Sequence, residues 1–395
     1  MNETTLIILD DEPEIADFIR KIARTVGLQA EATSSYEDFA ATLERTDPIC
    51  VILDLQMPDV DGIEVLRRLA ERGYRRDIII MSGFDQKVID SAMHLGRERG
   101  LRISGMLRKP CRVDEVASIL NGLAQSDEVI DPVAIGKALN EGQFTLFYQP
   151  KISLTEGYSG PEGPYRVTGF EALLRWKHPH FGMIGPDRFL ELAERNGLMD
   201  QVTDYVIDAA LRQIRAWADS GIDTTVAINV SAHNLHETDF ADRLDARCKE
   251  RGVRTASLIV ELTETAAMSD PVMAMDILTR LRIKGVRLAI DDFGTGYSSL
   301  VQLMNLPFSQ LKIDRAFVNE CHRSQQSGTI VKTMIDLSKN LGLISVAEGV
   351  EDPESIEFVR ACGCDIAQGF AISKPLPAEE AARWYRAHCK VTQST

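Results

Sequence analysis

With 395 residues, the chain exceeds one typical domain and has room for a barrel of ~250 residues plus a smaller domain. A formal net charge of −15 argues against binding nucleic acid or anionic membrane through bulk charge, while an apolar content of 44% supplies core for two domains. The seven cysteines are odd in number, with Cys362-Gly363-Cys364 as the only close pair, and read as reduced structural thiols and not as a disulfide framework.

The start, MNETTLIILDDE, has no basic segment and runs directly into acids, so no signal peptide is expected. No apolar stretch approaches the ~20 residues needed to cross a bilayer, and the expectation is a cytoplasmic protein without membrane insertion. Leu6 to Leu9 is an apolar run ending in Asp10-Asp11. Ile15, Phe18, Ile19 and Ile22 then recur at helical spacing. Cys50 to Leu53 ends in Asp54, Ile78 to Met81 ends in Ser82-Gly83, and Ser104 to Leu107 leads to Lys109-Pro110. Short apolar strands alternating with helical stretches predict a doubly wound five-stranded parallel sheet over residues 1–123, with its site at the carboxyl edge.

Asp10, Asp11, Asp54, Ser82 and Lys109 all fall at such strand ends. Carboxylates held together repel one another, and a divalent cation relieves that repulsion. A hydroxyl and an ammonium beside them suit the oxygens of a phosphoryl group. One strand-terminal Asp would read as ordinary surface polarity; five such residues in order do not. This segment resembles the receiver domain of bacterial response regulators, with DLQMPDVDG, SGF and RKP in the expected order. The resemblance implies that Asp54 accepts a phosphoryl group from a cognate histidine kinase, that Asp10 and Asp11 hold Mg²⁺, and that Ser82 and Lys109 contact the phosphoryl oxygens. One departure is Met106, which stands where receivers usually carry a switch aromatic. The stretch from Asp85 to Gly105 is also longer than usual.

Residues 124–142 read as a linker and bridging helix, with Asp131 as N-cap, Pro132 at the first helical position, and Ile135 and Leu139 at helical spacing. Its apolar positions suit the floor of the following domain.

Residues 143–395 carry eight apolar segments: 145–152, 167–176, 225–230, 258–262, 288–290, 310–313, 344–347 and 366–370. Helical patterns, such as 189–196 and 202–217, fill most gaps. The prediction is a modified (β/α)₈ TIM-like barrel, whose functional groups lie at the C-terminal strand ends. The loop TEGYSGPEGPYR between the first two segments is rich in Gly, Pro and Ser and points to a hairpin there instead of a helix.

Polar residues fall at these strand ends. Glu171, Asn229, Glu261 and Asp291 are hard oxygen donors suited to Mg²⁺ or Mn²⁺, and no histidine lies in their phrases. Adjacent Asp291 and Asp292 can serve two neighbouring ions, or one ion and a water. Two ions suit in-line attack on a phosphodiester. Lys312 would steady the water or the ligand set, Glu348 would bind metal or accept the water's proton, and Arg175 would meet a phosphate oxygen. The glycines of DDFGTGYSS suit a flexible loop over the site.

From Phe144 to Pro377 the chain resembles the EAL family of cyclic di-GMP phosphodiesterases, through FEALLRW, NVS, ELTE, DDFGTGYSSL, KID, AEGVE and QGF in family order. The resemblance implies hydrolysis of cyclic di-GMP to linear pGpG, with one or two ions of Mg²⁺ or Mn²⁺. It carries metal binding onto Glu171, Asn229, Glu261, Asp291, Asp292 and Glu351, and catalysis onto Glu348, Lys312 and Glu171. It places Arg175, Leu174, Gln149, Gln368 and Asp314 against substrate, and makes Glu264 the anchor of the Asp291–Ser299 loop. It also implies a homodimer or higher homo-oligomer. The expectation is a response regulator whose phosphodiesterase activity answers to Asp54. Two other readings stay open: a receptor that binds cyclic di-GMP without turnover, and an enzyme acting on another phosphodiester. A DNA-binding regulator lacks support, since the residues after Pro377 are too few for a helix-turn-helix module.

Overall fold

The computed structural model describes residues 5–46, 48–84, 86–124, 130–155, 160, 166–179, 181–294 and 304–388. The chain divides into two units, Met1–Ile130 and Asp131–Thr395.

In the first unit, strands β1 (Thr5–Leu9), β2 (Gln29–Thr33), β3 (Cys50–Asp54), β4 (Asp77–Ser82) and β5 (Arg102–Arg108) form a parallel sheet in the order β2-β1-β3-β4-β5. Both faces are covered, so β1 reads as a continuous apolar run: Leu6 and Ile8 join one core layer, Ile7 and Leu9 the other. β2 has the sequence QAEAT and lies at an edge with only Thr33 buried, so no apolar run marks it. β5 carries a bulge. Ile78 pairs with Ile103 and Ile79 with Gly105, so Ser104 is the extra residue, in the stretch that reads as long in sequence. Met106 follows and is half-buried.

In the second unit, helix Pro132–Asn140 starts as expected, with Asp131 accepting a hydrogen bond from the Ala134 amide (2.6 Å). It buries Ile135 and Ala138 and packs on helices Leu190–Arg195 and Met199–Asp219. The barrel strands are β6 (Phe144–Ser153), β7 (Val167–His178), β9 (Val226–Asn229), β10 (Leu258–Thr263), β11 (Arg287–Phe293), β12 (Gln310–Ile313), β13 (Ile344–Glu348) and β14 (Ile366–Gln368), with short β8 (Gly182–Ile184) and β15 (Leu376–Pro377) added at β7 and β6. β7 and β9 to β14 are parallel neighbours, and β6 closes the ring antiparallel to both β7 and β14. The hairpin expectation is therefore met. Aromatic rings seal the outside of that hairpin: Trp217 lies 4.8 Å from Tyr148 and 5.0 Å from Phe170, centroid to centroid.

Period-two alternation assigns the barrel interior. Ala227, Ile259 and Ala289 form a small apolar layer. Two residues further along the same strands stand Asn229, Glu261 and Asp291, on the same face and nearer the mouth. No helix among the described residues is long and apolar enough to cross a membrane.

Gly62 opens helix Gly62–Glu71 where that helix meets the end of β3, and a Cβ there would stand 2.7 Å from the Asp54 carbonyl oxygen and from the Leu55 Cα. Because the obstruction is backbone, Gly62→Ala should destabilise the first unit by about 1–3 kcal/mol. The check is chemical denaturation followed by a probe in that unit, with an unchanged midpoint as the contrary result.

Candidate active site

The barrel mouth is built around one ammonium. Lys312 on β12 is 1% exposed, and its Nζ lies 2.6 Å from Glu261 Oε2, 2.8 Å from Asp291 Oδ2, 2.7 Å from Glu348 Oε1 and 3.9 Å from Glu171 Oε2. Burial alone would lower its pKa, but the surrounding carboxylates drive it well above the usual lysine range. Lys312 is therefore a fixed positive charge that ties β10, β11 and β13 to β12.

Glu261 is fully buried, and its other oxygen sits 2.5 Å from Lys151 Nζ. Burial raises its pKa, yet the two ammoniums outweigh burial and hold the carboxyl at about 2. Glu348 behaves oppositely. Burial, reinforced by Asp291, Glu171 and Glu261 and only partly offset by Lys312, holds it well above the usual carboxylate range. Its Oε1 is buried and has no hydrogen-bond donor in line, although Lys312 is near.

Adjacent strand residues normally face opposite ways, so Asp291 and Asp292 need a special backbone. The register between β11 and β12 slips between Ile290 and Phe293, and Asp292 takes φ +52°, the only positive φ on a non-glycine among the described residues. Such strain concentrates at functional sites. Here it lets both carboxylates turn to the mouth, where one oxygen each from Asp291, Asp292 and Glu348 lie within 4.8 Å of one another. Burial, with Asp291 and Asp314 adjacent, pushes Asp292 up to about 7. Asp314 also caps helix Arg315–Val318 through the Ala316 amide.

Glu171 on β7 is held by amides on both oxygens, from Asn229 Nδ2 (2.9 Å) and Gln368 Nε2 (2.6 Å). Gln368 also donates to Gln149 Oε1 (3.0 Å), and Gln149 donates to the Ser373 carbonyl (3.0 Å). Glu351 lies apart from this group, exposed, and accepts from Asn319 Nδ2 (3.2 Å). Arg175 is half-buried, donates to the Leu174 carbonyl (2.8 Å) and lies 6.0 Å from the Phe147 ring centroid. Glu264 accepts from the Gly294 amide (2.8 Å), at the start of the loop it was expected to anchor; residues 295–299 lie outside the described residues. A cavity of about 600 Å³ adjoins this layer, sharing Asn229 and lined by Leu174, Pro186, Met199, Val202 and Ala266.

The donor set fits a hard divalent cation. Three carboxylates converge, one carries a buried oxygen with no donor in line, and Glu171 and Asn229 stand beside them. Lys151 lies outside the motifs that carry the family resemblance. A charged side chain inside the strand phrase FTLFYQPKIS is the signal that marks it.

In the first unit, Lys109 Nζ lies 2.7 Å from Asp54 Oδ2, 3.0 Å from Asp10 Oδ2 and 2.9 Å from Glu12 Oε1. Burial would lower its pKa, but these acids raise it. One oxygen each from Asp10, Glu12 and Asp54 lie within 4.8 Å of one another. Asp11 is half-buried and outside this trio, and Glu12 stands in it. Ser82 is fully buried, and its hydroxyl accepts from the Phe84 amide (3.1 Å).

Comparison with known proteins places both units. A model described as EAL domain matches residues 133–375, and one described as response regulator receiver domain matches residues 6–121. Cyclic di-GMP phosphodiesterase RocR of Pseudomonas aeruginosa is 32% identical across 96% of this chain and 98% of its own length. The bifunctional diguanylate cyclase/cyclic di-GMP phosphodiesterase MucR of the same organism is 42% identical over 62% of this chain, and the match spans 35% of MucR. A solved structure of the MucR phosphodiesterase in complex with c-di-GMP superposes with a TM-score of 0.59, at 42% identity, over 63% of this chain and 98% of that one.

The arrangement predicts a specific response to loss of the central ammonium. Lys312→Met leaves Glu261, Asp291 and Glu348 without their shared partner and should cost about 3–5 kcal/mol in the presence of a chelator. Thermal melts should recover most of that loss on adding Mg²⁺; equal destabilisation with and without the cation would contradict the charge argument.

Proposed function

Because the chain belongs to the EAL domain family and carries a response regulator receiver domain ahead of it, we propose that it hydrolyses cyclic di-GMP to linear pGpG under control of phosphorylation at Asp54. The observation that carries the reading is the set of carboxylates gathered around Lys312 at the barrel mouth, next to a mostly apolar cavity. RocR, matched over nearly its whole length, bears the name of a cyclic di-GMP phosphodiesterase.

Asp291 and Asp292 would hold Mg²⁺ or Mn²⁺, as one or two ions with Glu171, Asn229 and Glu261 alongside and Glu351 further out, and Glu348 stands at the same cluster. When bound, the cation supplies Lewis acidity toward a phosphoryl oxygen and reverses the local negative field, so that an acidic protein accepts an anionic substrate. The chain's own residues do the rest. The cavity beside Leu174 takes a base of the substrate, and Arg175 meets a phosphate oxygen. Gln149 and Gln368 keep Glu171 in place, and Lys312 positions the attacking water beside Asp291 and Glu348. Glu348 accepts the proton of the attacking water, whose oxygen adds to phosphorus as one P–O ester bond breaks, and the departing ribose oxygen takes up a proton from solvent. Asp314, against Asp292, completes the substrate side of the site.

In the first unit, Asp54 takes a phosphoryl group from a cognate histidine kinase, with Lys109 and Ser82 at its oxygens and Mg²⁺ held by Asp10 and its acidic neighbours. The modification adds about −1.5 to −2 charges at that point. It then biases the loop after Asp291, which begins at the Glu264–Gly294 contact. Assembly as a homodimer and a cytoplasmic setting belong to the same reading.

Chromatography of cyclic di-GMP incubated with the purified protein and Mg²⁺ tests the reaction. Conversion to pGpG is expected, with Glu171→Ala and Glu348→Ala each lowering kcat by about 10²-fold or more. Binding without turnover would make the protein a receptor. Adding a small-molecule phosphodonor should change the rate in the wild type and not in Asp54→Asn; a variant that still responds would remove Asp54 from the control.

A further inference from the structure

Lys151 enters the barrel from the one antiparallel strand. β6 runs against β7, with Gln149 opposite Glu171 and Lys151 opposite Gly169, so Lys151 stands two residues deeper than the layer of Glu171. Its side chain is 3% exposed, and its Nζ lies 2.5 Å from Glu261 Oε1, whereas the other oxygen of Glu261 takes Lys312 at 2.6 Å. Glu261 is thus gripped by two ammoniums, one from below and one from the mouth side. Lys312 divides its contacts between Glu261 and the pair Asp291 and Glu348.

We propose that Lys151 is a positioning residue for the reaction: by neutralising Glu261 from beneath, it leaves Lys312 to be held at Asp291 and Glu348, where the chemistry takes place. Charge decides the matter. Without Lys151, a carboxylate fully removed from water keeps Lys312 as its one ammonium partner, and in a low-dielectric interior that attraction is strong. Lys312 is then drawn down toward Glu261 and its contacts at the mouth lengthen. Misplacement by a fraction of an ångström at such a site costs rate more than substrate affinity. The inference rests on the phosphodiesterase reading for its kinetic part alone.

Two measurements test it. Lys151→Met, close in shape and uncharged, should lower kcat on cyclic di-GMP by about 10- to 100-fold while KM stays within about threefold. In the cation-free protein, NMR of ¹³Cε-labelled lysines reports Lys312 directly, its resonance being assigned by its loss in Lys312→Arg. That resonance should move in Lys151→Met. Since Lys151 acts through Glu261, adding Lys151→Met to Glu261→Gln should leave the resonance where Glu261→Gln alone puts it. A folded Lys151→Met with wild-type kcat overturns the proposal, whether or not the resonance moves. So does a further shift in the double variant, which would mean direct action on Lys312. If Lys151→Met alone fails to fold, the comparison of double with single variant decides, because the double variant removes both buried charges. A wild-type protein without phosphodiesterase activity would sink the earlier reading and leave the NMR comparison to judge this one.

Discussion

The second unit depends on a buried ammonium that no single carboxylate owns. Lys312 lies within ion-pair distance of Glu171, Glu261, Asp291 and Glu348, which come from β7, β10, β11 and β13. Burying several carboxylates together is prohibitive unless counter-charge is built in. Two lysines supply part of it, and the acids nearest the mouth keep a residual negative charge. The oxygens gathered there form a donor set that fits a divalent cation. The opposite pKa directions of Glu261 and Glu348 express the same division: one carboxyl is neutralised by ammoniums, the other is left wanting a partner.

Backbone geometry adapts to deliver these groups. Parallel strands present alternate residues to the barrel axis, which is enough for Asn229, Glu261 and Lys312, but not for two consecutive aspartates. The slip between β11 and β12 and the left-handed backbone at Asp292 solve that problem at the cost of local strain. The antiparallel β6 has its own consequence. Running the other way, it brings Gln149 and Lys151 into the interior in one strand, one to order the amides around Glu171 and the other to grip Glu261.

The first unit repeats the logic on an open sheet. Lys109 sits among Asp10, Glu12 and Asp54 at the carboxyl edge of parallel strands, as Lys312 sits among acids in the barrel. In both places one lysine keeps acids together at a spacing where a cation or a phosphoryl group can join them. The energetic link is therefore between charge balance and readiness for a ligand, and not between charge pairs and stability alone.

Barrel strands such as Val226–Asn229 and Ile366–Gln368 were legible in the sequence because each is an apolar run ending in a polar residue, and the hairpin was legible because Gly, Pro and Ser crowd the loop between its strands. Asp131 and Pro132 gave the start of helix Pro132–Asn140 by capping chemistry alone. β2 was not legible as an apolar run, since an edge strand with the sequence QAEAT buries too little to need one. The motifs named Glu171, Asn229, Asp291, Lys312 and Glu348 as a group, but the grip of Lys151 on Glu261 joins residues 110 apart, so the sequence marks Lys151 as a charge within a strand and not its partner. Likewise only the fold sets Glu12 beside Asp54 and Lys109. Residue types and their order determined which chemistry this protein can carry. Which charges touch was decided by the closed barrel and the sheet edge, because ion pairing depends on distance through space and not on distance along the chain.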